Sequence, residues 1–330
     1  MSLDSHESKI FSLPQVEYQH NGLQQVSNFR VFLITTFVAF GGFLFGYDCV
    51  IGGGLVEVER FKADFGTPQP PDGKFGFSDA LRGGMVSILS VGTFFGALSA
   101  SQFCDRWGRK IGILITCAIF SVGIGFQTAA TNIAALMFGR FIAGYGVGLI
   151  SVMIPLYQSE CVPSKRRGTI VSCYQLAITL GLLIGQIAAY FTQDKTTKNA
   201  YRILIGLQFL WSGVLSVAML FFPETPRFLI RAGKWDEAVK AKVRLSGLPA
   251  NHPQVQDELL EIKGKFEHEM RLGPATYKQC WQGNNFRRTM LGIFMQAWQQ
   301  RMSFYLIPLI QSLVSISFSI TDQVFSKQPD

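Results

Sequence analysis

Two ionisable residues lie inside stretches of the chain that are otherwise almost entirely apolar. Asp48 follows Phe45-Gly46-Tyr47, and Arg140 lies between Gly139 and Phe141. A charged side chain in an apolar environment needs a partner, so these two residues are candidates for an ion pair. Burial disfavours an ionised aspartate and a nearby arginine favours it, so the pair can bind and release a proton. We therefore predict proton binding at Asp48; a purely structural ion pair, or an aspartate that reaches the outer surface, remains open.

Amide side chains form the second group that is capable of specific chemistry. Gln175 lies within an apolar run, and Gln296, Gln299 and Gln300 lie near the end of the chain. An amide donates and accepts hydrogen bonds at the same time without a charge, so it can hold an uncharged polar ligand. Hydrogen bonding between neighbouring helices is the alternative.

A third group consists of charged residues at the ends of apolar runs: Asp105, Arg106, Arg109, Glu160, Arg167, Glu224 and Arg227. Basic residues at such ends commonly anchor a membrane protein on the cytoplasmic side. Anchoring explains the basic residues but not the acidic ones, which need partners or a function of their own.

The composition of the chain defines the environment of these groups. The sequence has 330 residues, of which 48% are hydrophobic and only 16% are charged, and its net charge is +8. A soluble domain carries about 25% charged residues, so much of this surface does not face water. The basic residues occur in short clusters between apolar runs, which excludes a nucleic-acid-binding face. The cysteines and histidines have no metal-ligand spacing, and we predict neither a metal nor a cofactor.

Apolar runs long enough to cross a membrane occur six times in the first 222 residues of the chain. They are Val31–Ile51, Gly84–Phe103, Ile111–Ala129, Ile133–Ile154, Ile170–Phe191 and Ile203–Phe222. Residues 1–28 are polar, and residues 223–287 carry the charge and periodicity of amphipathic helices. A seventh run extends from about Met290 to Ile320 and is interrupted by Arg301.

The basic residues also predict the orientation. Basic clusters follow the second, fourth and sixth runs, which places these loops and the N-terminus in the cytoplasm. The loop after the first run contains Pro68, Pro70, Pro71 and Gly73, and we predict an irregular loop on the opposite side.

Five motifs appear in order along the chain: Asp105-Arg106-Trp107-Gly108-Arg109-Lys110; Gly139-Arg140-Phe141 with Gly144, Gly146 and Gly148; Pro155-Leu156-Tyr157-Gln158-Ser159-Glu160-Cys161-Val162-Pro163 with Arg167-Gly168; Pro223-Glu224-Thr225-Pro226-Arg227; and Gln299-Gln300. Together they resemble the sugar porter family of the major facilitator superfamily, and within it the fungal monosaccharide transporters. The resemblance implies an all-α membrane protein: the N-terminal six-helix bundle (29–222), a cytoplasmic helical linker (223–287) and the start of a second bundle (288–330).

The same resemblance assigns roles to the three groups of residues. It implies that Asp48 and Arg140 couple transport to protons. It also implies that sugar hydroxyls are bound by four side-chain amides, those of Gln175, Gln296, Gln299 and Gln300. The charged residues at the helix ends would form a cytoplasmic latch between two bundles. The expected function is proton-coupled transport of a monosaccharide across the plasma membrane, with proton, sugar and lipid bilayer as partners. A non-transporting sugar sensor or a regulatory fragment is the alternative.

The resemblance is expected to end at Arg301. The family continues after the glutamine pair with a glycine and a sugar-binding asparagine, where this chain has Ser303 and Tyr305. We hypothesise a change of reading frame at this point, with a genuinely truncated allele as the alternative. Because alternating access requires two bundles, the 330-residue chain by itself is expected not to transport sugar.

Overall fold

The computed structural model describes residues 34, 36–68, 75–162, 167–193, 199–272, 281–299 and 301. Six of its helices are long and apolar enough to cross a membrane, and we number them spans 1 to 6. They are Thr36–Glu57, Asp79–Trp107, Arg109–Ala129, Ile133–Cys161, Gly168–Thr192 and Tyr201–Phe221. Each overlaps one of the six predicted apolar runs, with bounds that differ by at most seven residues, so the predicted all-α membrane fold is confirmed.

Local sequence signals account for the ends of several spans. Span 2 begins after Ser78, whose hydroxyl oxygen accepts a hydrogen bond from the backbone N–H of Leu81. Span 4 begins after Asn132, whose side-chain oxygen accepts from the N–H of Ala135 at 2.8 Å. Both are N-cap contacts that satisfy backbone donors at the first turn of a helix. Span 1 is the helix Phe40–Gly54 continued by a 3₁₀ turn, Leu55–Glu57.

Glycines allow two pairs of spans to pack backbone to backbone. A Cβ atom at Gly148 of span 4 would lie 2.2 Å from the Thr93 carbonyl oxygen of span 2. A Cβ atom at Gly181 of span 5 would lie 2.2 Å from the Phe43 carbonyl oxygen of span 1. Any larger residue would push these helices apart, so the glycine-rich stretch of span 4 serves close helix packing.

The outer faces of the spans expose large apolar side chains. Examples on spans 2, 5 and 6 are Phe94, Leu98, Leu176, Leu183, Phe191, Ile203 and Phe221. Water would penalise so much exposed apolar surface, whereas the hydrocarbon of a bilayer does not.

The loop between spans 1 and 2 is more ordered than predicted. It contains a short helix, Glu59–Phe65, and two antiparallel two-residue strands, Thr67–Pro68 and Phe75–Gly76. Phe61 is fully buried in this loop and packs edge-on against Tyr201 at the start of span 6. An aromatic cluster thus fixes this part of the loop to the bundle, while residues 69–73, on which the prediction of an irregular loop rests, lie outside the described residues.

Three helices follow span 6: Pro226–Arg231, Trp235–Ser246 and Pro253–Leu272. They share a small core of their own that includes Leu229, Ala238 and Leu259. A further helix occupies residues 283–299. The chain divides into two compact units, Met1–Lys265 and Phe266–Asp330, so the division falls inside the predicted linker. The predicted tail 1–28, Gln300 and the predicted seventh span beyond Arg301 lie outside the described residues.

Candidate functional site

A cluster of three buried polar side chains lies between spans 1, 4 and 6. Asp48 of span 1, Arg140 of span 4 and Gln208 of span 6 are each only 1% exposed. The Gln208 side-chain amide donates a hydrogen bond from Nε2 to Asp48 Oδ1 at 3.0 Å. We call these three residues the mid-span cluster.

The predicted direct pair between Asp48 and Arg140 is not present. Nε, Nη1 and Nη2 of Arg140 have no hydrogen-bond partner among the described residues, and neither does Asp48 Oδ2. The Arg140 guanidinium instead lies against Gly52, where a Cβ atom would be 2.6 Å from Nη2. Gln208 occupies one carboxylate oxygen of Asp48, and the Arg140 guanidinium lies beside span 1 one helical turn further along.

Gln208 is the member of this cluster that the sequence analysis missed. It lies within the apolar run Ile203–Phe222, and an amide in such a run was a usable signal. A polar side chain at the middle of a membrane span is uncommon and usually marks a contact or a functional site.

A second buried cluster lies where spans 2, 3, 4 and 6 end. Arg109 Nη2 and Glu160 Oε1 form an ion pair at 2.8 Å, with side-chain exposures of 7% and 3%. Arg109 Nη1 also donates to the Cys104 carbonyl oxygen at 3.3 Å, and the guanidinium lies 5.5 Å from the centre of the Phe228 ring. We call Arg109, Glu160, Glu224 and their backbone partners the end cluster.

Glu224 caps the first turn of span 3. Its Oε1 accepts from the backbone N–H of Arg109 at 3.1 Å, and Oε2 accepts from the N–H of Lys110 at 3.0 Å. Burial raises the pKa of the Glu224 carboxyl group, while these N–H bonds, the N–H of Thr225 and the Arg109 charge act against that shift. A helix N-terminus favours a carboxylate in this position.

Gly108 makes room for that carboxylate. Its φ is +86°, and a Cβ atom there would lie 2.6 Å from Glu224 Oε2. Only glycine combines this backbone conformation with so close an approach.

Two further contacts join the end cluster to the segment after span 6. The Tyr157 hydroxyl of span 4 donates to the Pro223 carbonyl oxygen at 2.7 Å. Arg231 Nη1 lies 2.9 Å from Asp105 Oδ1 at the exposed rim. A contact of Asp105 was predicted from the sequence, but the contacts of Tyr157 and Arg231 were not, although both residues lie in or just after the five motifs.

The structure separates the predicted latch residues into those that meet and those that do not. Asp105, Arg109, Glu160 and Glu224 meet as described above. Arg106 is exposed and lies over the Trp107 ring at 5.8 Å, apart from the buried ion pair, so its place in the network stays a prediction. Arg227 is exposed at the start of the helix Pro226–Arg231, and its side chain or backbone also interacts with another residue. Arg167 begins the helix of span 5, and its side chain lies outside the described part of the chain.

The predicted sugar-binding amides are only partly described. Gln175 is exposed on span 5, and Gln186 is exposed three turns further along the same helix. Gln296 and Gln299 are exposed on the helix 283–299 of the second unit. Exposed amides are available to a ligand, but the structure does not itself assign one.

Comparison with known proteins identifies the family. The model of the family described as "Sugar (and other) transporter" matches residues 34–317. The chain therefore belongs to this family of major facilitator proteins, and it is a multi-pass membrane protein. The matched range continues past Arg301, where the sequence analysis placed the end of the resemblance.

Curated relatives are fungal membrane proteins. The major facilitator-type transporter ecdD of Aspergillus rugulosus is 43% identical over 269 residues, which are 81% of this chain and 50% of that protein. The low-affinity glucose transporter HXT1 of Saccharomyces cerevisiae is 38% identical over 80% of this chain and 46% of that protein. The high glucose sensor RGT2 of the same yeast is 37% identical over 89% of this chain and 41% of that protein.

The fold has solved counterparts. The xylose transporter XylE from E. coli, in a partially occluded inward-open conformation, matches with a TM-score of 0.63 at 23% identity. The match covers 72% of this chain and 60% of XylE. The chain spans about half the length of the curated relatives it matches.

Proposed function

We propose that this chain supplies the first bundle of a monosaccharide transporter that works by alternating access. The observation that carries the proposal is the 38% identity to the glucose transporter HXT1 over four fifths of the chain. In alternating access two bundles rock around a central site, and the described spans form one such bundle.

This proposal predicts that a second bundle is needed for uptake. Yeast that lacks its own hexose transporters and expresses residues 1–330 should take up no labelled glucose. The same chain joined after Gln299 to the remaining part of HXT1 should restore uptake. Robust uptake by residues 1–330 alone would contradict the two-bundle mechanism, and failure of a correctly inserted chimera would contradict the transport proposal.

Proton coupling is the finer part of the proposal, and Asp48 is its proposed proton carrier. The carboxyl group is buried next to a polar amide and within the electrostatic influence of Arg140. A buried carboxyl of this kind marks a proton relay in transport proteins. Uptake by the chimera should rise as external pH falls, and Asp48→Asn should abolish that dependence. Uptake that is independent of pH in the unsubstituted chimera would instead indicate facilitated diffusion.

Gln175 is the proposed sugar contact of the first bundle, with Gln296, Gln299 and Gln300 as proposed contacts of the second. An amide can satisfy neighbouring sugar hydroxyls as donor and acceptor. Gln175→Ala should raise the KM for glucose by roughly tenfold, as expected for one lost hydrogen bond to a buried polar ligand. Leu176→Ala, on the adjacent exposed position, is the matched control and should leave KM unchanged.

The end cluster is the proposed cytoplasmic latch, with the N-terminus in the cytoplasm of a plasma-membrane protein. The basic residues after spans 2 and 6 support this orientation. A cysteine introduced at Lys234 should react with a membrane-impermeant maleimide only after the cells are permeabilised. Labelling of intact cells would reverse the proposed orientation.

A sugar sensor is the second candidate function, and the likeness to RGT2 favours it. A sensor binds sugar without moving it, so glucose would stabilise the purified protein while no chimera catalyses uptake. Uptake by the chimera decides in favour of the transporter.

A further inference from the structure

An apolar groove runs along the outer face of the bundle, beside the second half of span 6. Its volume is about 710 Å³, within the range of ligand clefts, and apolar side chains and a glycine line it. The lining residues that matter here are Phe37, Phe209, Gly213, Val217, Phe221 and Phe222. We propose that this groove holds an acyl chain of a phospholipid with an anionic headgroup, and that the ammonium group of Lys110 binds that headgroup.

The groove has the length of one leaflet of a bilayer. It extends from Phe209, near the middle of span 6, to Phe222, just past the end of that span. At about 1.5 Å per residue this segment is about 20 Å long, and half of a bilayer with its headgroup region is also about 20 Å thick. A single acyl chain therefore fits along the groove from the middle of the membrane to its surface.

Gly213 lies midway along the groove and forms part of its floor. A Cβ atom at this position would meet no atom of a neighbouring helix within 4 Å, so helix packing does not require a glycine here. Glycine is also unfavourable in a helix interior relative to alanine. Phe209 and Val217, four residues to either side, are 41% and 56% exposed, so Gly213 leaves an open space between two side chains that face lipid.

A second helix bounds the groove and distinguishes it from the rest of the lipid-facing surface. The ring of Phe37, at the start of span 1, lies edge-on to the ring of Phe222 with 6.1 Å between their centres. Phe37 also stacks on Phe40 of its own span, which holds the ring beside the groove. A chain in the groove is contacted by two helices, and it gains more van der Waals contacts than a chain on a single helix face.

Lys110, at the start of span 3, places a positive charge at the surface end of the groove. Its Nζ donates to the Leu220 carbonyl oxygen at 2.9 Å, and Leu220 directly precedes the lining residue Phe221. Leu220 is seven residues after Gly213, so both lie on the same face of span 6. An ammonium group has three donors, and the described part of the chain supplies one acceptor, which leaves two donors for a lipid phosphate.

The charge of Lys110 is not neutralised by the carboxylate beside it. The Glu224 carboxylate accepts from the backbone N–H groups of Arg109 and Lys110. Among the described residues it forms no ion pair with the Lys110 ammonium. A headgroup with a net negative charge therefore binds better than a zwitterionic one, whose own cation opposes the contact.

The groove also predicts which leaflet supplies the lipid. In the proposed orientation the end of span 6 lies at the cytoplasmic surface, where membranes carry anionic lipids. This choice of leaflet rests on the proposed function, whereas the groove and its cation do not.

The test is thermal unfolding of the purified chain in a nonionic detergent. A dye reports unfolding as it reacts with the thiols of Cys104, Cys117 and Cys161, each only 1% exposed in the folded chain. Dioctanoylphosphatidylglycerol, which is anionic, should raise the unfolding midpoint by about 3 °C more than zwitterionic dioctanoylphosphatidylcholine at the same concentration. Glycerol phosphate carries the charge without an acyl chain and should leave the midpoint unchanged.

Two variants separate the groove from the cation. Gly213→Leu fills the groove and should abolish the shift with both lipids. Its matched control is Gly206→Leu, because Gly206 is on the same span with open space around it but does not line the groove. Lys110→Gln should remove only the difference between the two lipids. Lys240→Gln, at an exposed position of the helix Trp235–Ser246, should retain that difference.

Three outcomes would overturn the proposal. They are equal shifts with the two lipids in the unsubstituted chain, a full shift in Gly213→Leu, and the same loss of the lipid difference in Lys240→Gln as in Lys110→Gln. If Gly213→Leu does not fold, Val217→Phe fills the groove from the next turn and is judged in the same way. None of these measurements involves uptake, so failure of the chimera to transport is a separate result.

Discussion

The mid-span cluster and the end cluster contain similar groups in opposite states of satisfaction. Both bring an arginine and a carboxylate into a buried position between spans. In the end cluster Arg109 pairs with Glu160, and Glu224 accepts from backbone N–H groups, although Arg109 Nε and Glu160 Oε2 remain without a partner in the described residues. In the mid-span cluster no nitrogen of the Arg140 guanidinium has a hydrogen-bond partner among the described residues.

This difference separates two uses of buried charge. Well-paired groups such as Arg109 and Glu160 stabilise one arrangement of the helices, and removing either leaves the other buried without a partner. A poorly paired group such as Arg140 stabilises no single arrangement of the helices, so different arrangements of the helices remain close in free energy. Buried charge of the first kind holds the helices in one arrangement, whereas buried charge of the second kind does not.

The largest predicted effect is Arg109→Met in the end cluster. It leaves Glu160 buried without its cation and should lower the free energy of unfolding by about 3–5 kcal/mol. Arg140→Met, with the same change of side chain, should have the opposite sign. The measurement is thermal unfolding of both purified variants, followed with a dye that reacts with the buried thiols of Cys104, Cys117 and Cys161 as they become exposed. Two variants that shift in the same direction would remove the distinction between the clusters.

Arg106→Met is the control for general effects of losing an arginine near the end of span 2. Arg106 is exposed and contacts Trp107, so its replacement should change the free energy of unfolding by no more than about 0.5 kcal/mol.

The next largest effect is expected from Gly108→Ala. The backbone at φ +86° is strained for alanine, and the new methyl group would displace the Glu224 carboxylate from the start of span 3. The combined loss should be about 2–3 kcal/mol. Gly264→Ala is the control: Gly264 lies in the helix Pro253–Leu272 with open space around it, so alanine should stabilise slightly. Equal effects of the two substitutions would show that the cap contributes little.

Tyr157→Phe should have an intermediate effect. It removes the buried hydroxyl that donates to the Pro223 carbonyl oxygen and should lower the free energy of unfolding by about 1–1.5 kcal/mol. The control is Tyr145→Phe, whose hydroxyl meets Ser99 at 2.8 Å in a partly buried position. Since Ser99 also bonds backbone carbonyl groups of its own helix, that loss should be smaller. A larger effect at Tyr145 would contradict the importance assigned to the junction with Pro223.

The sequence predicts the spans far better than the contacts between them. Length and apolar composition are local properties, so all six spans could be located, with bounds that differ by at most seven residues. Which side of a helix faces a neighbour depends on packing, and Arg106 and Arg109 show the consequence. Both belong to one motif, three residues apart, yet only Arg109 turns inward. Likewise Asp48 and Arg140 were correctly placed in buried positions, but the bond from Gln208 depends on where span 6 lies beside span 1.

The smallest expected effect tests the rim of the end cluster. Arg231 and Asp105 lie 2.9 Å apart, but their side chains are 55% and 49% exposed. Water and salt screen such a pair, so Arg231→Ala should change the free energy of unfolding by less than about 1 kcal/mol, with less change at high salt. A loss as large as that of Arg109→Met would mean that the exposed and buried parts of the end cluster act as one cooperative network. The stabilising contacts of the end cluster would then include the helix Pro226–Arg231. The difference in stability between the end cluster and the mid-span cluster would depend on that helix as much as on Arg109.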